Sequence, residues 1–388
     1  MTTYRYLVVG GGLAGHAAAK AIRELDRDGS LAIMTAEPER PYARPPLTKG
    51  LWKGRPEEKV YCEPVPGLDL LTSRRANALD TRARIVRDDT GQEHGYERLL
   101  LATGGVPRRL PFGGERVIYF RTFADYRRLR AVAGRRAVVI GGGFIGSEIA
   151  AALAMNDKDV TMVFPEEGVG GRSFPRDLAA FVTRYYEQRG VTVRPGETVA
   201  GIEERGDETI VRTSGGAELA CDVVVAGLGI RPDTALAEAA GVRCDDGILV
   251  DERLETSEPG VFAAGDVARF PSEALGGRAR VEHEDAALSQ GRTAGRNMTG
   301  AAEPYRHLPF FYSDLFDLGY EAVGKLDARL EMVESWKTEG REGVVYYLQD
   351  GRVRGVLLWG TFGQVDAARE LISRERGLPR DALLRAIP

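Results

Sequence analysis

Cysteine and histidine are scarce in the 388-residue sequence. The three cysteines, Cys62, Cys221 and Cys244, have no paired spacing, and the four histidines share no metal-ligand spacing. So few cysteines fit a reducing cytoplasm and exclude a disulfide framework. We therefore expect neither a metal site nor structural disulfides.

Long apolar runs and a surplus of positive charge are also missing. No apolar run reaches the ~18–20 residues of a membrane span. A strand is predicted from about Tyr4, which leaves no room for a signal or transit peptide. The formal net charge of −4 argues against general nucleic-acid binding. These features predict a cytoplasmic protein with no membrane span and no nucleic-acid partner.

Glycine is plentiful, and two glycine-rich motifs stand in matching surroundings. GGGLAG (10–15) follows the apolar run 6–9, and GGGFIG (141–146) follows the apolar run 137–140. Both read G-x-G-x-x-G between a predicted strand and a predicted helix. In that setting the first glycine makes a tight turn, the second lets the backbone approach a pyrophosphate, and the helix N-terminus offers free N–H groups to phosphates. The pair therefore predicts two bound dinucleotides, a flavin and a nicotinamide.

Strands and helices are predicted to alternate around each motif. The predicted elements near the first motif are a helix at 13–25, a strand at 31–35 and a buried strand at 99–102. Near the second motif they are strands at 137–140, 160–164 and 223–226 and a helix at 147–155. From 305 onward they are antiparallel strands at 329–338, 343–349 and 352–359 and a helix at 365–373.

Several longer segments resemble the FAD- and NAD(P)H-dependent pyridine-nucleotide reductases. Within that group the chain is most similar to apoptosis-inducing factor and its bacterial relatives, beside the rubredoxin and ferredoxin reductases. The matching segments are PYARPPLTKGLW (41–52), LLLATGG (99–105), GGGFIGSE (141–148), VFAAGDVA (261–268), VEHEDAA (281–287), NMTGAAEPYRH (297–307), FYSDLFDLGYEAVG (311–324) and GVLLWG (355–360). The long C-terminal insertion of the animal protein is missing, so the resemblance implies its redox chemistry and not its role in cell death.

The element pattern and the resemblance together predict an α/β fold. It consists of two Rossmann-like dinucleotide-binding domains and a small α+β C-terminal domain. The FAD-binding domain is expected to be discontinuous, covering 1–112 and 243–304. The NAD-binding domain is expected at 113–242 and the C-terminal domain at 305–388.

The residues expected to hold FAD begin with the first motif. Glu37 follows the second strand, where a carboxylate accepts both hydroxyls of an adenine ribose; the alternative is a solvated surface acid. The resemblance assigns further contacts to Arg44 and Arg121, for which surface charge is the alternative. It also assigns contacts to Thr103-Gly104 and Asp266, for which a loop turn and a helix N-cap are the alternatives. The expected set is Gly10, Gly12, Leu13, Ala14, Gly15, Ala36, Glu37, Arg44, Lys49, Ala76, Thr103, Gly104, Arg121, Gly265, Asp266, Glu282, His283 and Tyr312.

Lys49, Glu148 and Phe144 are the predicted catalytic residues. By resemblance, Lys49 stands by flavin N5, and Glu148 faces it from the helix after the second motif. A buried lysine needs such a partner, because an unpaired buried charge costs several kcal/mol; the alternative is a surface pair worth ~0–1 kcal/mol. Phe144 matches a family aromatic that covers the flavin and swings aside for nicotinamide, and packing between helix and strand is its alternative.

The residues expected to bind the nicotinamide nucleotide surround the second motif. Glu166 lies just beyond the strand at 160–164, where a carboxylate repels the 2′-phosphate of NADPH and favours NADH. Nearby Arg172 would instead accept that phosphate. The expected set is Gly141, Gly143, Phe144, Ile145, Gly146, Glu148, Glu166, Arg172 and Gly229.

Three more residues are assigned by resemblance to the flavin ring. Glu282 and His283 are predicted to lie in the first turn of a helix whose N-terminus faces the flavin pyrimidine, where the helix dipole stabilises charge at N1–O2. Tyr312 is expected to lie against the isoalloxazine, with interdomain packing as the alternative. Reductases that serve iron–sulfur proteins often have Trp after this histidine, where the chain has Glu284.

The cysteine pattern does not match a dithiol enzyme. Neither a C-x4-C motif in the first domain nor a single cysteine at 42–46 is present. We therefore expect an FAD-dependent oxidoreductase in which NADH delivers hydride to flavin N5, leaving NAD⁺, and an unidentified ferredoxin, rubredoxin or quinone takes the electrons. The alternative is a slow NADH sensor whose reduced charge-transfer complex controls partner binding. A monomer or a homodimer is expected.

Overall fold

The computed structural model describes residues 1–206, 208–374 and 376–387. Its strands are β1 (Thr2–Val9), β2 (Leu31–Met34), β3 (Leu68–Leu71), β4 (Ala76–Asp80), β5 (Ile85–Asp88), β6 (Glu93–Leu101), β7 (Gly105–Pro107), β8 (Val117–Tyr119), β9 (Arg136–Ile140), β10 (Asp159–Phe164), β11 (Thr192–Pro195), β12 (Val199–Arg205), β13 (Glu208–Thr213), β14 (Glu218–Cys221), β15 (Val223–Ala226), β16 (Ile230–Pro232), β17 (Ile248–Leu249), β18 (Val261–Ala263), β19 (Ala268–Ser272), β20 (Gly277–Ala279), β21 (Phe310–Leu315), β22 (Leu318–Gly324), β23 (Glu331–Thr338), β24 (Glu342–Gln349) and β25 (Arg352–Trp359).

The α-helices are fewer than the strands. They are α1 (Leu13–Leu25), α2 (Phe123–Arg130), α3 (Phe144–Ala154), α4 (Arg176–Gln188), α5 (Ala235–Ala239), α6 (Glu284–Met298), α7 (Val365–Ser373) and α8 (Arg380–Leu383). Short 3-10 helices cover Pro45–Leu47, Gly50–Lys53, Glu57–Val60 and Gly114–Arg116. Over the part of the chain that the structure describes, none of these helices has the length and apolar character that a bilayer crossing requires.

The chain divides into two compact units. The first unit consists of 1–43, 57–106 and 231–310, and the second consists of 44–56, 107–230 and the chain from 311 onward. The segment 44–56 therefore belongs to the second unit, although it interrupts the first unit in the sequence. The division into three domains stays a prediction, and its last boundary, residue 388, lies outside the described residues.

The first unit is built on a seven-stranded sheet with the order β3-β2-β1-β6-β5-β4 and with β18 beside β6. β1 pairs in parallel with β2 and β6, and β18 pairs in parallel with β6. The central parallel strand β2 (Leu31–Met34) is a continuous apolar run, because both of its faces are covered. Gly291 and Gly295 let α6 lie directly on α1, since a Cβ at either position would overlap a carbonyl oxygen of α1.

The second unit contains three sheets. The first is parallel, with the order β11-β10-β9-β15-β8, the second is β12-β13-β14, and the third has the order β21-β22-β25-β24-β23. In the third sheet, β24 and β25 are antiparallel neighbours joined through Asp350 and Gly351, whose φ angles are 53° and 71°. Positive φ at both turn positions is what a tight hairpin requires, so the predicted hairpin is confirmed.

Two helices begin at other residues than predicted. α3 begins at Phe144 and not at Ser147, because Gly143 already provides the extended N-cap backbone, with φ −80° and ψ −169°. α6 begins at Glu284, so the prediction that Glu282 and His283 form its first turn is wrong. The backbone of His283 is extended, with φ −114° and ψ 145°, and this residue is the N-cap.

The alternative role of Asp266 as a helix N-cap is also wrong. The residues that follow it form the strand β19, and no helix begins there. The carbonyl oxygen of Gly265 accepts a hydrogen bond from the N–H of Ala268 at 2.9 Å, which closes a turn between β18 and β19. Asp266 therefore lies in a strand–turn–strand connection.

Candidate cofactor sites

The first glycine of each motif has a backbone that favours glycine. The φ angles are +123° at Gly10 and +115° at Gly141. A Cβ at Gly10 would also overlap the carbonyl oxygen of Ala102, and one at Gly141 would overlap that of Gly227. The turn therefore passes directly beside the end of the neighbouring strand in both units.

The middle glycine of each motif leaves open space before its helix. Gly12 and Gly143 are the N-caps of α1 and α3. Apart from the chain neighbours, none of the described residues has an atom within 4 Å of a Cβ built on either glycine. The third glycines, Gly15 and Gly146, allow no side chain, because a Cβ would overlap the carbonyl oxygen of the first glycine. Free N–H groups and open space at a helix N-terminus are what a pyrophosphate requires, so both motifs fit a dinucleotide.

In each unit a carboxylate follows the strand that comes after the motif helix. Glu37 follows β2, and Glu166 follows β10. Glu37 accepts a hydrogen bond from the hydroxyl of Tyr42 at 2.6 Å. Glu166 forms an ion pair with Arg172, whose side chain is 79% exposed. Both carboxylates stand where a ribose is bound in this kind of fold. Arg172 is thus engaged by the same carboxylate that is expected to select against NADPH.

Gly265 and Asp266 lie beside the first motif. Gly265 has φ +80°, and a Cβ on it would come within 3.0 Å of the Cβ of Ala14. The N–H of Gly265 donates to Oε1 of the fully buried Gln290 at 2.9 Å. The Nε2 of Gln290 has no hydrogen-bond partner among the described residues. A buried amide donor without a protein partner fits a site that the oxygen atoms of a ligand complete.

The start of α6 is hydrogen-bonded, through Asp285 in its first turn, to the segment that follows this helix. Although part of His283 reaches solvent, burial lowers its pKa to about 4, against the opposing effect of the charges of Asp266 and Asp285. Its imidazole is therefore neutral at pH 7. Asp285 is hydrogen-bonded to Nε2 of His307 at 2.5 Å and accepts the N–H of Phe310 at 3.1 Å.

Thr103 and Gly104 lie in the connection between β6 and β7, and Asp233 is hydrogen-bonded to both. The hydroxyl of Thr103 donates to the carbonyl oxygen of Asp233 at 2.7 Å, and the N–H of Asp233 donates back to that of Gly104 at 3.0 Å. Arg44 and Arg121 lie together in the second unit, where the guanidinium of Arg44 donates to the backbone oxygen of Arg121 at 2.9 Å. Thr103 and Gly104 therefore lie in a loop, which is compatible with the predicted contact to FAD.

The remaining predicted FAD residues lie at the surface or at the edge of the first unit's core. Ala36 is exposed, and Leu13 and Ala76 are partly buried against the core. Glu282 forms an ion pair with Arg280 at 2.7 Å. The FAD contacts of these four residues stay predictions.

Lys49 and Glu148 form a buried ion pair in the second unit. The distance from Lys49 Nζ to Glu148 Oε1 is 2.7 Å, and the two side chains are only 11% and 4% exposed. The alternative of a plain surface pair is therefore wrong. The ammonium of Lys49 also lies 5.3 Å from the ring centroid of Tyr312, which is 40% exposed.

Phe144 packs within an aromatic group of the second unit. Its ring centroid lies 5.2 Å from that of Phe311 and 6.5 Å from that of Tyr320. Its side chain is half-buried, and the neighbouring Ile145 is exposed. Gly229 stands in a loop with φ +77°. The packing description of Phe144 is thus correct, and its partial exposure leaves the gating role open.

Four polar residues of these sites escaped the sequence analysis. Tyr42 donates to Glu37, Gln290 accepts from Gly265, and the hydroxyls of Thr48 and Ser313 donate to Glu148. Tyr42, Thr48 and Ser313 lie inside segments that carry the family resemblance. Membership of these segments is the only sequence signal for the three residues. Their hydrogen-bond partners are distant in sequence or stand at no characteristic spacing.

The two units define a class of protein, a flavoprotein oxidoreductase that binds two dinucleotides. The chain belongs to the pyridine nucleotide-disulphide oxidoreductase family, whose model matches residues 4–291. A second model, described as apoptosis-inducing factor, mitochondrion-associated, C-term, matches residues 294–342. The resemblance and the predicted fold class are confirmed by these matches.

Individual proteins match over almost the whole chain. Apoptosis-inducing factor 1, mitochondrial, of Dictyostelium discoideum is 32% identical over 96% of this chain and 79% of that protein. The ferredoxin–NAD(+) reductase component of the anthranilate 1,2-dioxygenase system of Burkholderia cepacia is 34% identical over 96% and 95%. The ferredoxin reductase for the CYP199A2 system from Rhodopseudomonas palustris superposes with a TM-score of 0.90 at 29% identity, over 100% of this chain and 98% of that one. The protein is thus an NAD(P)H-dependent flavin oxidoreductase that uses FAD.

Proposed function

We propose that this protein oxidises NADH and passes the electrons, through bound FAD, to an iron–sulfur protein of the ferredoxin type. The similarity to ferredoxin reductases over nearly the full length of both chains carries the proposal. A cytoplasmic location and a monomeric or homodimeric state stay predictions.

The chain's own residues bind and orient the two nucleotides. The first motif and Glu37 hold the FAD pyrophosphate and ribose, and the second motif and Glu166 hold those of NADH. Bound FAD supplies the redox chemistry, which amino-acid side chains lack. The pairing of Glu166 with Arg172 keeps a carboxylate at the ribose position, which supports NADH as the donor.

Lys49 offers a fixed positive charge to the isoalloxazine. Its ammonium has little freedom, because it is almost buried and paired with Glu148. A cation held in a site of low polarity stabilises negative charge without reorganising. Glu148 compensates the charge of the buried lysine, because an unpaired buried charge is costly.

No cysteine takes part in the proposed electron transfer. Burial raises the pKa of each of the three thiols, Cys62, Cys221 and Cys244, to about 11. The thiolate is the reactive form of cysteine, and at pH 7 almost none is present at such a pKa. This supports a reductase without a redox-active disulfide.

Steady-state NADH oxidation with a panel of acceptors tests the proposal. The acceptors are a [2Fe–2S] ferredoxin, a rubredoxin and a soluble quinone, each with and without the protein. We expect sustained turnover with the ferredoxin at a higher kcat/KM than with the quinone. Rapid flavin reduction with no turnover on any acceptor would contradict the proposal and favour the NADH sensor instead.

A further inference from the structure

Three chain segments of the second unit hold the buried carboxylate of Glu148. Its Oε1 accepts from Lys49 Nζ at 2.7 Å and from the hydroxyl of Ser313 at 2.5 Å, and its Oε2 accepts from the hydroxyl of Thr48 at 2.5 Å. Glu148 lies on α3 and Ser313 on β21, while Thr48 directly precedes Lys49. Oxygen–oxygen distances of this length are typical of hydroxyls that donate to an ionised carboxylate.

The two oxygens of this carboxylate are supported unequally. Without Ser313, Oε1 would still have the ammonium of Lys49. Thr48 is the one donor to Oε2 among the described residues. A buried carboxylate that loses a donor is less stable in its ionised form, so its affinity for a proton rises. Once protonated, Glu148 would no longer neutralise Lys49.

We propose that Thr48 and Ser313 are positioning residues that keep Glu148 ionised and in one rotamer, and that Glu148 in turn fixes the ammonium of Lys49. Both hydroxyls act through Glu148, and Thr48 contributes more because Oε2 depends on it. The consequence for the flavin rests on the proposed function, which puts Lys49 beside the isoalloxazine.

The other ionisable groups that face Glu148 are two tyrosines. Burial raises the pKa of Tyr186 on α4 and of Tyr320 on β22 well above the usual value, and the charge of Glu148 adds to the shift. Both phenols therefore stay neutral at ordinary pH.

Infrared difference spectroscopy of the FAD-bound protein at stepped pH tests the proposal. A protonated carboxyl group gives a C=O band that a carboxylate lacks, and the band that disappears in Glu148→Gln belongs to Glu148. We expect Thr48→Val to move the midpoint of this band to higher pH by about one unit or more, a ~10-fold gain in proton affinity. Ser313→Ala should move it less, and Thr48→Ser, which keeps the hydroxyl, should restore the wild-type midpoint.

The flavin midpoint potential gives a second readout. In Thr48→Val it should match the wild type at high pH and rise toward the Glu148→Gln value as the pH falls, because an unopposed Lys49 favours the reduced flavin. Thr361→Val is the matched control. Thr361 is a buried threonine of the same unit whose hydroxyl donates to the carbonyl oxygens of Gly343 and Trp359. This variant should leave both readouts unchanged.

The outcomes separate this inference from the proposed function. If the Glu148 band titrates as in the wild type in both Thr48→Val and Ser313→Ala, the positioning role is wrong, even where NADH reduces the flavin. If the band shifts but the potential does not follow, the positioning role is correct and the placement of Lys49 beside the flavin fails. Should Thr48→Val not retain FAD, Ser313→Ala carries the same test.

Discussion

Helices α1 and α3 begin alike and then differ. Gly12 and Gly143 cap them with nearly identical backbones, φ −81° and ψ −174° against φ −80° and ψ −169°. Five residues after the cap, α1 has the partly buried Ala17, where α3 has the buried Glu148. The glycines therefore determine a shared nucleotide-binding backbone, and the side chains that follow decide whether a charged group is added to it.

Glu37 and Glu166, the carboxylates expected to bind ribose, likewise share a backbone position and differ in their side-chain partners. Glu37 stands two residues after Thr35, which packs on Gly11, and Glu166 stands two residues after Phe164, which packs on Gly142. Glu37 has a neutral partner in the hydroxyl of Tyr42, whereas Glu166 has a cation in Arg172. The second unit therefore carries a cation that can turn toward a 2′-phosphate, whereas the first unit's carboxylate accepts from a neutral hydroxyl.

The largest expected effects come from Gly12→Ala and Gly143→Ala. A Cβ at either position meets no described atom within 4 Å outside the adjacent residues, so both variants should unfold in urea as the wild type does. Bound nucleotide would meet the added methyl group. We expect Gly12→Ala to weaken FAD retention by at least tenfold, and Gly143→Ala to raise the Kd for NADH by a similar factor while FAD stays bound.

The two variants serve as controls for each other. FAD content after gel filtration and NADH titration of the FAD-loaded protein are the measurements. A loss of FAD in Gly143→Ala, or an NADH defect in Gly12→Ala at full FAD content, would show that the two motifs do not divide the nucleotides in this way.

Glu166→Gln sharpens the comparison of the ribose sites. The substitution removes the repulsion of a 2′-phosphate and frees Arg172 from its partner, so the ratio of NADH to NADPH reduction rates should fall by about tenfold, equivalent to ~1.4 kcal/mol. Rapid mixing with each donor gives the ratio. Glu37→Gln, the matched change in the first unit, should leave the ratio unchanged. A preference of the wild type for NADPH would show that Arg172 binds the 2′-phosphate in spite of Glu166.

Local sequence signals were sufficient for much of the fold. Helix α1 has the predicted bounds 13–25, and α7 has the predicted bounds 365–373. Short apolar runs predicted β9, β10 and β15 to within one residue. Each of these signals is contained in a stretch of about ten residues, where periodicity and turn chemistry act without help from the rest of the chain.

Such local signals could not predict the hydrogen-bond partners of the site residues. Ser313 and Thr48 are 165 and 100 residues from Glu148 in sequence, and a single hydroxyl has no periodicity that marks its acceptor. The prediction of where α6 begins was wrong for a related reason. The N-cap at His283 depends on one backbone conformation, and the run of acidic residues around it is compatible with a helix that begins one or two residues earlier.

Phe144→Leu gives the second motif the residue type that the first motif has at Leu13. The change nearly conserves volume, so the free energy of unfolding should fall by less than ~1.5 kcal/mol, from lost contact with Phe311 and Tyr320. We expect a several-fold change in NADH affinity and an altered long-wavelength charge-transfer band, with FAD still bound. If stability falls while affinity and band stay as in the wild type, Phe144 only packs.

The smallest effect is expected from replacing the cysteines, because the two units are alike in having no reactive thiol among the described residues. Cys62 and Cys244 belong to the first unit and Cys221 to the second, and burial raises the pKa of each to about 11. Replacing all three by serine should leave NADH-driven flavin reduction within a few-fold of the wild type, because no step depends on a thiolate. The rate is measured in a rapid-mixing experiment at matched FAD content. Loss of reduction with fold and FAD intact would overturn the mechanism without a disulfide, and the three single variants would then show which unit holds the thiol.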